Sequence, residues 1–265
     1  MMLPLTRARV ADLTVLAQAD STNDVLVAAA RADEADHFAV VVTDNQTAGR
    51  GRLGRTWEAP PGATLAISVL LRPTTPTGEP LGLAHLGWLP LLAGLAMTGA
   101  VREVLPSDRV ALKWPNDVHV DGLKVSGILS EYVPDIGVVV GAGINILQSA
   151  EELPTPVSTS LALAGAVTER GSIADVVLSG YLDRLRTITR EFADAAGDAV
   201  GSGLRDGVRA VCSTLSRSVR VELPGGDIRT GVANDIDADG RLIVTESNGR
   251  VLVVAAGDVT HLRYE

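Results

Sequence analysis

Aromatic residues are scarce in this chain: 3 Trp, 3 Tyr and 2 Phe among 265 residues. A core of any size must therefore come from Val, Leu, Ile and Ala, since the hydrophobic share is still 46%. Cysteine is nearly absent. The single Cys212 excludes an internal disulfide and a Cys-based zinc site. Positive charge is also short, with 23 Lys and Arg against 32 Asp and Glu and a formal net charge of -9. General nucleic-acid binding calls for a basic face that releases phosphate counterions, so the balance argues for a cytoplasmic protein that does not bind DNA. No apolar signal region with a cleavage site opens the chain. One run, residues 81–101, is long enough to suggest a membrane span. It carries His85, Pro90 and several glycines and has no basic flanks, so the expectation is a buried core helix and no membrane.

What is present divides into two textures. Residues 1–215 mix helical and strand patterns. Ser21 or Thr22 opens a short helix, 38–43 and 64–71 read as strands, and 44–61 is a loop rich in turn formers. Strands at 110–113, 117–120, 123–132 and 137–144 follow the apolar run, then helices over 172–196 and 201–214. From Ser216 onward, short β pieces alternate with PGGD, DADG and SNG, the pattern of a small β-barrel. The expectation is an α+β catalytic domain over 1–215, with a mixed sheet and flanking helices, and a small β-barrel domain over 216–265.

Residues 49–57 read GRGRLGRTW. The literal G-x-G-x-x-G is not a dinucleotide fingerprint, because Pro60 and Pro61 follow where a helix would have to start. It is not a phosphate-binding P-loop either, which needs G-K-[ST]. Arg50, Arg52 and Arg55 repel one another unless an anion joins them, and arginine suits bidentate phosphate contact. One reading is a loop that orders over a phosphorylated ligand with Trp57 stacked on a base. The other is a solvated basic loop with Trp57 as a core anchor.

Residues 113–131 read KWPNDVHVDGLKVSGILSE, with Asp121-Gly122 as a two-residue hairpin turn. A regular register pairs Val120 with Leu123, His119 with Lys124, Val118 with Val125 and Asp117 with Ser126. One face is then apolar (Val118, Val120, Leu123, Val125), and the other carries Asp117, His119, Lys124 and Ser126. That polar face is either a site, with a carboxylate and an amine in reach, or plain surface. Gly127 suggests close approach of another group. Gly141 and Gly143, at alternate positions, leave one strand face bare for a flat ligand or for tight packing. Ser21-Thr-Asn-Asp has capping-box spacing. The amides of Asn23 and Gln46 have both donor and acceptor and suit a ligand urea or amide.

Together these pieces resemble biotin protein ligases. The match is S-T-N at 21–23, Q-T-A-G-R-G-R-x-G-R-x-W at 46–57, K-W-P-N-D at 113–117 with K-x-x-G-I-L-x-E at 124–131, and G-x-G-x-N at 141–145. The C-terminal β region also fits, as an SH3-like barrel. The resemblance implies formation of biotinyl-5′-AMP from biotin and ATP with Mg²⁺, then transfer to a lysine of a biotin carboxyl carrier domain of an acetyl-CoA or propionyl-CoA type carboxylase. It implies catalytic roles for Arg52, Lys124 and Asp117. Ser21, Thr22, Asn23, Gln46, Gly49, Arg50, Gly51, Gly127, Gly141 and Gly143, with Arg52 and Lys124, fall on the biotin side. Arg55, Trp57, Lys113, Asn116, Asn145 and Arg263, again with Arg52 and Lys124, fall on the nucleotide side. The resemblance leaves the metal ligands and a weak homodimer open. About ten residues precede the first strand, too few for the winged helix-turn-helix of the repressor type, so a ligase without DNA binding is expected. The rival readings are a lipoate or octanoate ligase of related fold and a protein that only sequesters biotin or its adenylate.

Overall fold

The computed structural model describes all residues except Glu58, Pro224, Gly225, Ala256, Gly257 and residues 262–265. Arg263 therefore lies outside the described residues.

In chain order the elements are α1 (Pro4–Arg7), β1 (Leu13–Leu16), α2 (Thr22–Arg31), β2 (Val40–Thr43), β3 (Gly49–Arg50), β4 (Thr56–Trp57) and β5 (Thr64–Leu71). Then come α3 (Leu89–Val101), β6 (Val110–Lys113), β7 (Asp117–Val120), β8 (Leu123–Val133), β9 (Gly137–Asn145), α4 (Ile173–Asp194) and α5 (Leu204–Val211). The chain closes with β10 (Ser218–Glu222), β11 (Ile228–Ile236), β12 (Leu242–Thr245), β13 (Val251–Val254) and β14 (Asp258–His261).

Seven strands form a mixed sheet in the order β1-β2-β5-β9-β8-β7-β6, with β1 and β2 parallel and the other pairs antiparallel. Both faces of its centre are covered, and so every residue of β5 is buried, six of its eight residues being apolar. Val40, Val42, Ile67, Val69 and Val140 pack toward α3, while Val41, Leu70 and Val139 pack toward α2. The long apolar run is the core element expected, but it divides into a 3-10 segment, Leu83–Trp88, and α3. Ten of the thirteen residues of α3 are buried, between the sheet and α4. A Cβ on Gly94 would come within 2.4 Å of Leu112 Cδ1, so this glycine sets the helix-to-sheet distance. Ser172 caps α4 by accepting from Asp175 N. The buried Asp175 carboxylate in turn accepts from Leu5 N, Thr6 N and Thr6 Oγ1, which fastens α1 to α4.

The five C-terminal strands form an antiparallel sheet in the order β13-β12-β11-β10-β14, the small SH3-like element expected. Its inner residues, including Val219, Ala233, Ile236 and Val244, belong to the same apolar cluster as α3. Two of the three tryptophans make the joint. Trp88 Nε1 donates to Ala238 O at 2.7 Å, and Trp114 Nε1 donates to Gly240 O at 3.0 Å. Gly240 has φ +80°, and a Cβ there would lie 3.4 Å from the Trp88 ring.

Two expectations need correction. Residues 44–61 are not wholly irregular, because β3 and β4 pair as a short ribbon around a 3-10 turn, Arg52–Gly54. The 117–126 hairpin is not regular. Val120 pairs with Leu123 and His119 with Lys124, but a bulge then sets Val118 against Ser126 and Asp117 against Gly127. Val125 and Ser126 are both fully buried, so Ser126 belongs to the core face and not to the polar one.

The indole clamps predict a stability effect. Trp114→Phe keeps a ring but strands a buried carbonyl, and should lower unfolding free energy by about 1–3 kcal/mol. Because the two sheets share one apolar core, urea unfolding followed by far-UV circular dichroism and by tryptophan fluorescence should give a single coincident transition.

Candidate active site

The site lies on the face of the sheet that carries α2, beyond the N-terminus of that helix. Strand register puts Gly127 opposite Gly143, Gly143 opposite Ala66, and Gly141 opposite Ser68. These small residues make a floor nearly free of side chains. The alternation that leaves them there sends Ile67, Ile128, Val140 and Ala142 into the core on the other face.

At one end of the floor the α2 N-terminus is held by a polar chain. Ser21 Oγ accepts from Asp24 N at 3.4 Å, as its capping position anticipates. Thr22 donates to Gln46 Oε1 from its backbone at 2.9 Å and from its hydroxyl at 3.2 Å. The buried Ser68 hydroxyl lies 2.6 Å from Asn23 Oδ1 and 2.8 Å from Thr22 Oγ1, and its one hydrogen serves one of them at a time. Asn23 Nδ2 donates to Glu131 Oε1 at 2.6 Å. Both ends of the Asn23 amide are thus engaged within the protein. The amide rests on Gly141, where a Cβ would meet Oδ1 at 2.5 Å.

The arginine loop forms the opposite wall. Arg50 Nη2 reaches Asp24 at 2.6 Å and Glu131 at 3.1 Å. Arg52 Nη1 donates to Asn116 Oδ1 at 2.9 Å, and Asn116 Nδ2 donates to Ile128 O at 2.7 Å. Gly49 is required by close approach, since a Cβ there would lie 2.3 Å from Trp57 O and 2.5 Å from Gln46 Nε2. The Trp57 indole covers the floor. Its ring atoms come within 2.5–2.9 Å of a Cβ built on Gly143 and 3.3 Å of one on Gly127. Trp57 Nε1 is buried with no hydrogen-bond partner among the described residues. In this state the indole therefore occupies the bare strand face.

Lys124 stands at the centre. Its Nζ lies 2.7 Å from Asp117 Oδ1, an ion pair outside hydrogen-bond angles, and 5.7 Å from the Trp57 ring centroid. Its backbone is fixed on both sides, by Lys124 N to Val157 O and by Thr159 N to Lys124 O, each at 2.8 Å. The buried Asn145 holds the same segment through Nδ2 to Thr159 O at 2.9 Å. A cavity of about 1220 Å³ joins these parts and extends past Lys113 to Arg217, Ser218 and His261 of the C-terminal sheet.

The expected residues Ser21, Thr22, Asn23, Gln46, Arg50, Gly51, Arg52, Arg55, Trp57, Lys113, Asn116, Asp117, Lys124, Gly127, Gly141 and Gly143 all line this cavity. Gly49 and Asn145 stand behind the wall as supports. Sequence reasoning missed Ser68, Glu131, Arg217 and His261. Ser68 had a signal, a lone hydroxyl in an otherwise apolar strand. Glu131 had one too, as the last residue of the K-x-x-G-I-L-x-E motif at 124–131. Arg217 and His261 had none, because only the docking of the second sheet brings them here.

The arrangement suits an anion meeting a carboxylate. A protein of formal charge -9 gathers Arg50, Arg52, Arg55, Lys113, Lys124 and Arg217 around one cavity. The described residues contain no cluster of three or more His, Cys, Asp or Glu able to cage a metal ion.

Comparison with known proteins agrees with this geometry. Residues 15–147 match the biotin/lipoate A/B protein ligase family, and residues 214–262 match the biotin protein ligase C terminal domain. The chain is 39% identical to the biotin--[acetyl-CoA-carboxylase] ligase of Mycobacterium tuberculosis, covering 95% of this chain and 89% of that protein. This chain belongs to the biotin protein ligase family. The corresponding enzyme of Paracoccus denitrificans is 32% identical over 91% of this chain and 98% of its own. In three dimensions the biotin protein ligase of Aquifex aeolicus in complex with biotin and ATP superposes with a TM-score of 0.71 and 27% identity, covering 96% of this chain and 99% of the other.

Two outcomes are expected from the ligase's cavity. Gly143→Ala inserts a methyl where the indole lies and should expel it, at an overpacking cost of about 1–3 kcal/mol. The expulsion reads as a shift in tryptophan emission that is absent when Trp57 is also replaced by Phe. The second concerns pH. Burial, with Lys113 and Lys124 nearby, holds His119 down to about 4 against the pull of Asp117. Burial, Lys113 and Arg217 hold His261 down to about 4. Between pH 6.5 and about 4 the unfolded chain binds protons at both sites that the folded chain does not. The melting temperature should therefore fall as pH drops through that window, and less steeply in His119→Gln/His261→Gln.

Proposed function

We propose that this ligase joins biotin to ATP as biotinyl-5′-AMP and then transfers the biotinyl group to a lysine of a biotin carboxyl carrier domain. The observation that carries the reading is the Lys124–Asp117 pair at 2.7 Å, set between the bare strand floor and the arginine loop. The fused ring system of biotin lies over Gly127 and Gly143 once the indole yields, beside the Asn23 amide that rests on Gly141. Its head group meets the α2 N-terminus and Gln46. A biotin carboxylate oxygen attacks the α-phosphorus of ATP, the bond to the β-phosphate oxygen breaks, and pyrophosphate leaves. Lys124 and Arg52 are fixed cations facing the charge that develops. Mg²⁺ arriving on the triphosphate supplies further neutralisation. Among the described residues Asp117 is the carboxylate shown beside Lys124 and no group of three metal ligands occurs, so the donor set fits a cation carried by phosphates and not a protein cage.

In the second step the acceptor amine attacks the acyl carbon and AMP leaves. The ammonium must first lose a proton, and its unperturbed pKa is about 10.4. Asp117 holds the entering ammonium and takes that proton. Trp57 and Asn116 serve the nucleotide, with Arg263 of the C-terminal segment assigned by resemblance. The division near residue 215, a carboxylase of the acetyl-CoA or propionyl-CoA type as partner, and a cytoplasmic location without DNA or membrane binding complete the proposal.

Incubation with biotin, ATP, Mg²⁺ and a carrier domain should add one biotinyl group to one lysine by mass spectrometry. Octanoate or lipoate in its place should not be transferred. Lys124→Ala should slow pyrophosphate release roughly 10²- to 10³-fold. Asp117→Asn should slow transfer from preformed biotinyl-AMP roughly 10²-fold while slowing adenylation less. Equal slowing of both half-reactions would remove Asp117 from the acceptor role.

A further inference from the structure

The Glu131 carboxylate touches both walls of the cavity. It lies on β8 on the same face as Gly127, two alternations along. Its Oε1 accepts from Asn23 Nδ2 at 2.6 Å and from Arg50 Nη2 at 3.1 Å, and Oε2 lies 3.2 Å from the same Nη2. A carboxylate only accepts, so it fixes the Asn23 amide with Nδ2 toward itself. Oδ1 is then turned to Ser68 Oγ at 2.6 Å and pressed against Gly141. The same carboxylate shares Arg50 with Asp24, which sits one residue beyond Asn23 on α2. A single acidic side chain therefore ties the α2 end of the cavity floor to the arginine loop.

We propose that Glu131 is a positioning residue with two separable duties: it orients Asn23 beneath the biotin head group, and it clasps the arginine loop shut over the activated intermediate. The proposal rests on the ligase reading above. Glutamine at 131 keeps an oxygen for Asn23 Nδ2 but turns a donor toward Arg50. Alanine removes both contacts and leaves Nδ2 unpaired under the slot. Asp24→Asn weakens only the clasp.

The test uses the full chain and purified biotinyl-5′-AMP. The readouts are its release rate and the KM for biotin in pyrophosphate release, with melting temperature recorded for each variant. Surface ion pairs are individually weak, so Glu131→Gln and Asp24→Asn should each speed release by roughly threefold to tenfold. Their KM for biotin should stay within about twofold of the parent. Glu131→Ala should speed release as much and also raise KM by about tenfold, the cost of an unsatisfied buried donor. Release of the adenylate at the parent rate from Glu131→Gln would overturn the clasp. A KM raised equally by Glu131→Gln and Glu131→Ala would overturn the orienting duty. A carboxylate that only stabilises the fold would lower melting temperature and leave both readouts unsplit, which also overturns the proposal. Failure of the unsubstituted chain to form biotinyl-5′-AMP is a different result and overturns the ligase reading itself.

Discussion

The site depends on keeping one face of three neighbouring strands nearly bare around Gly127, Gly141 and Gly143 while the other face carries the core. Gly127, Gly143 and Ala66 stand in a row across β8, β9 and β5, and Leu129, Gly141 and Ser68 form the next row. On the far side, Ile128, Ala142 and Ile67 lie among residues packed on α3. A slip of one residue in any of these strands would exchange the faces, putting isoleucine in the slot and glycine in the core. Burial on the α3 side therefore fixes the register, and the register fixes the floor. The hydrophobic core stands directly behind the floor.

The bulge in the hairpin joins the reactive pair to that floor. Before the bulge, Lys124 shares a face with His119 and Asp117. In a regular hairpin Gly127 would then fall on the opposite face, with the core residues. One extra residue reverses this: Val125 and Ser126 both turn inward, and Gly127 comes to lie opposite Asp117. From there to Glu131 the strand presents its alternate residues to the cavity. An irregularity of a single residue thus places amine, carboxylate and bare strand on the same side of the sheet.

That bulge was not legible in the residues, because an Asp-Gly turn specifies the first pairs and says nothing of the fifth residue beyond it. Much else was. The run 64–71 reads as a strand, and the glycines at 141 and 143 signal a strand face without side chains. The alternating pieces after Ser216 gave all five strands of the C-terminal sheet. The motif residues of the two basic segments and the α2 cap converge on one cavity as expected. What pattern could not show were contacts between distant elements. Asn23 looked free to bind a ligand through both ends of its amide, but Ser68 and Glu131, 45 and 108 residues away, already hold them. The indole was left open between ligand and core. It proves to cover the floor itself, because no side chain from the strands competes for that space.

The cations of the cavity show why an acidic protein tolerates them. Arg50 leans on Asp24 and Glu131, Arg52 on Asn116, and Lys124 on Asp117, and Arg55 and Lys113 also interact within the protein. Arg50, Arg52 and Lys124 are thereby paired or hydrogen-bonded before any ligand arrives, which reduces the repulsion that so dense a cluster would otherwise build. These partners are modest, part-exposed contacts and not deeply buried pairs. An incoming polyphosphate can replace them with charge-assisted bonds of about 1.5–3 kcal/mol each. In the two-step reaction proposed above, this exchange would release Asp117 from Lys124 when a second ammonium, that of the acceptor, needs a carboxylate beside it. On that proposal the resting ion pair would be both a charge balance in the free protein and the reserve from which the second step draws its base.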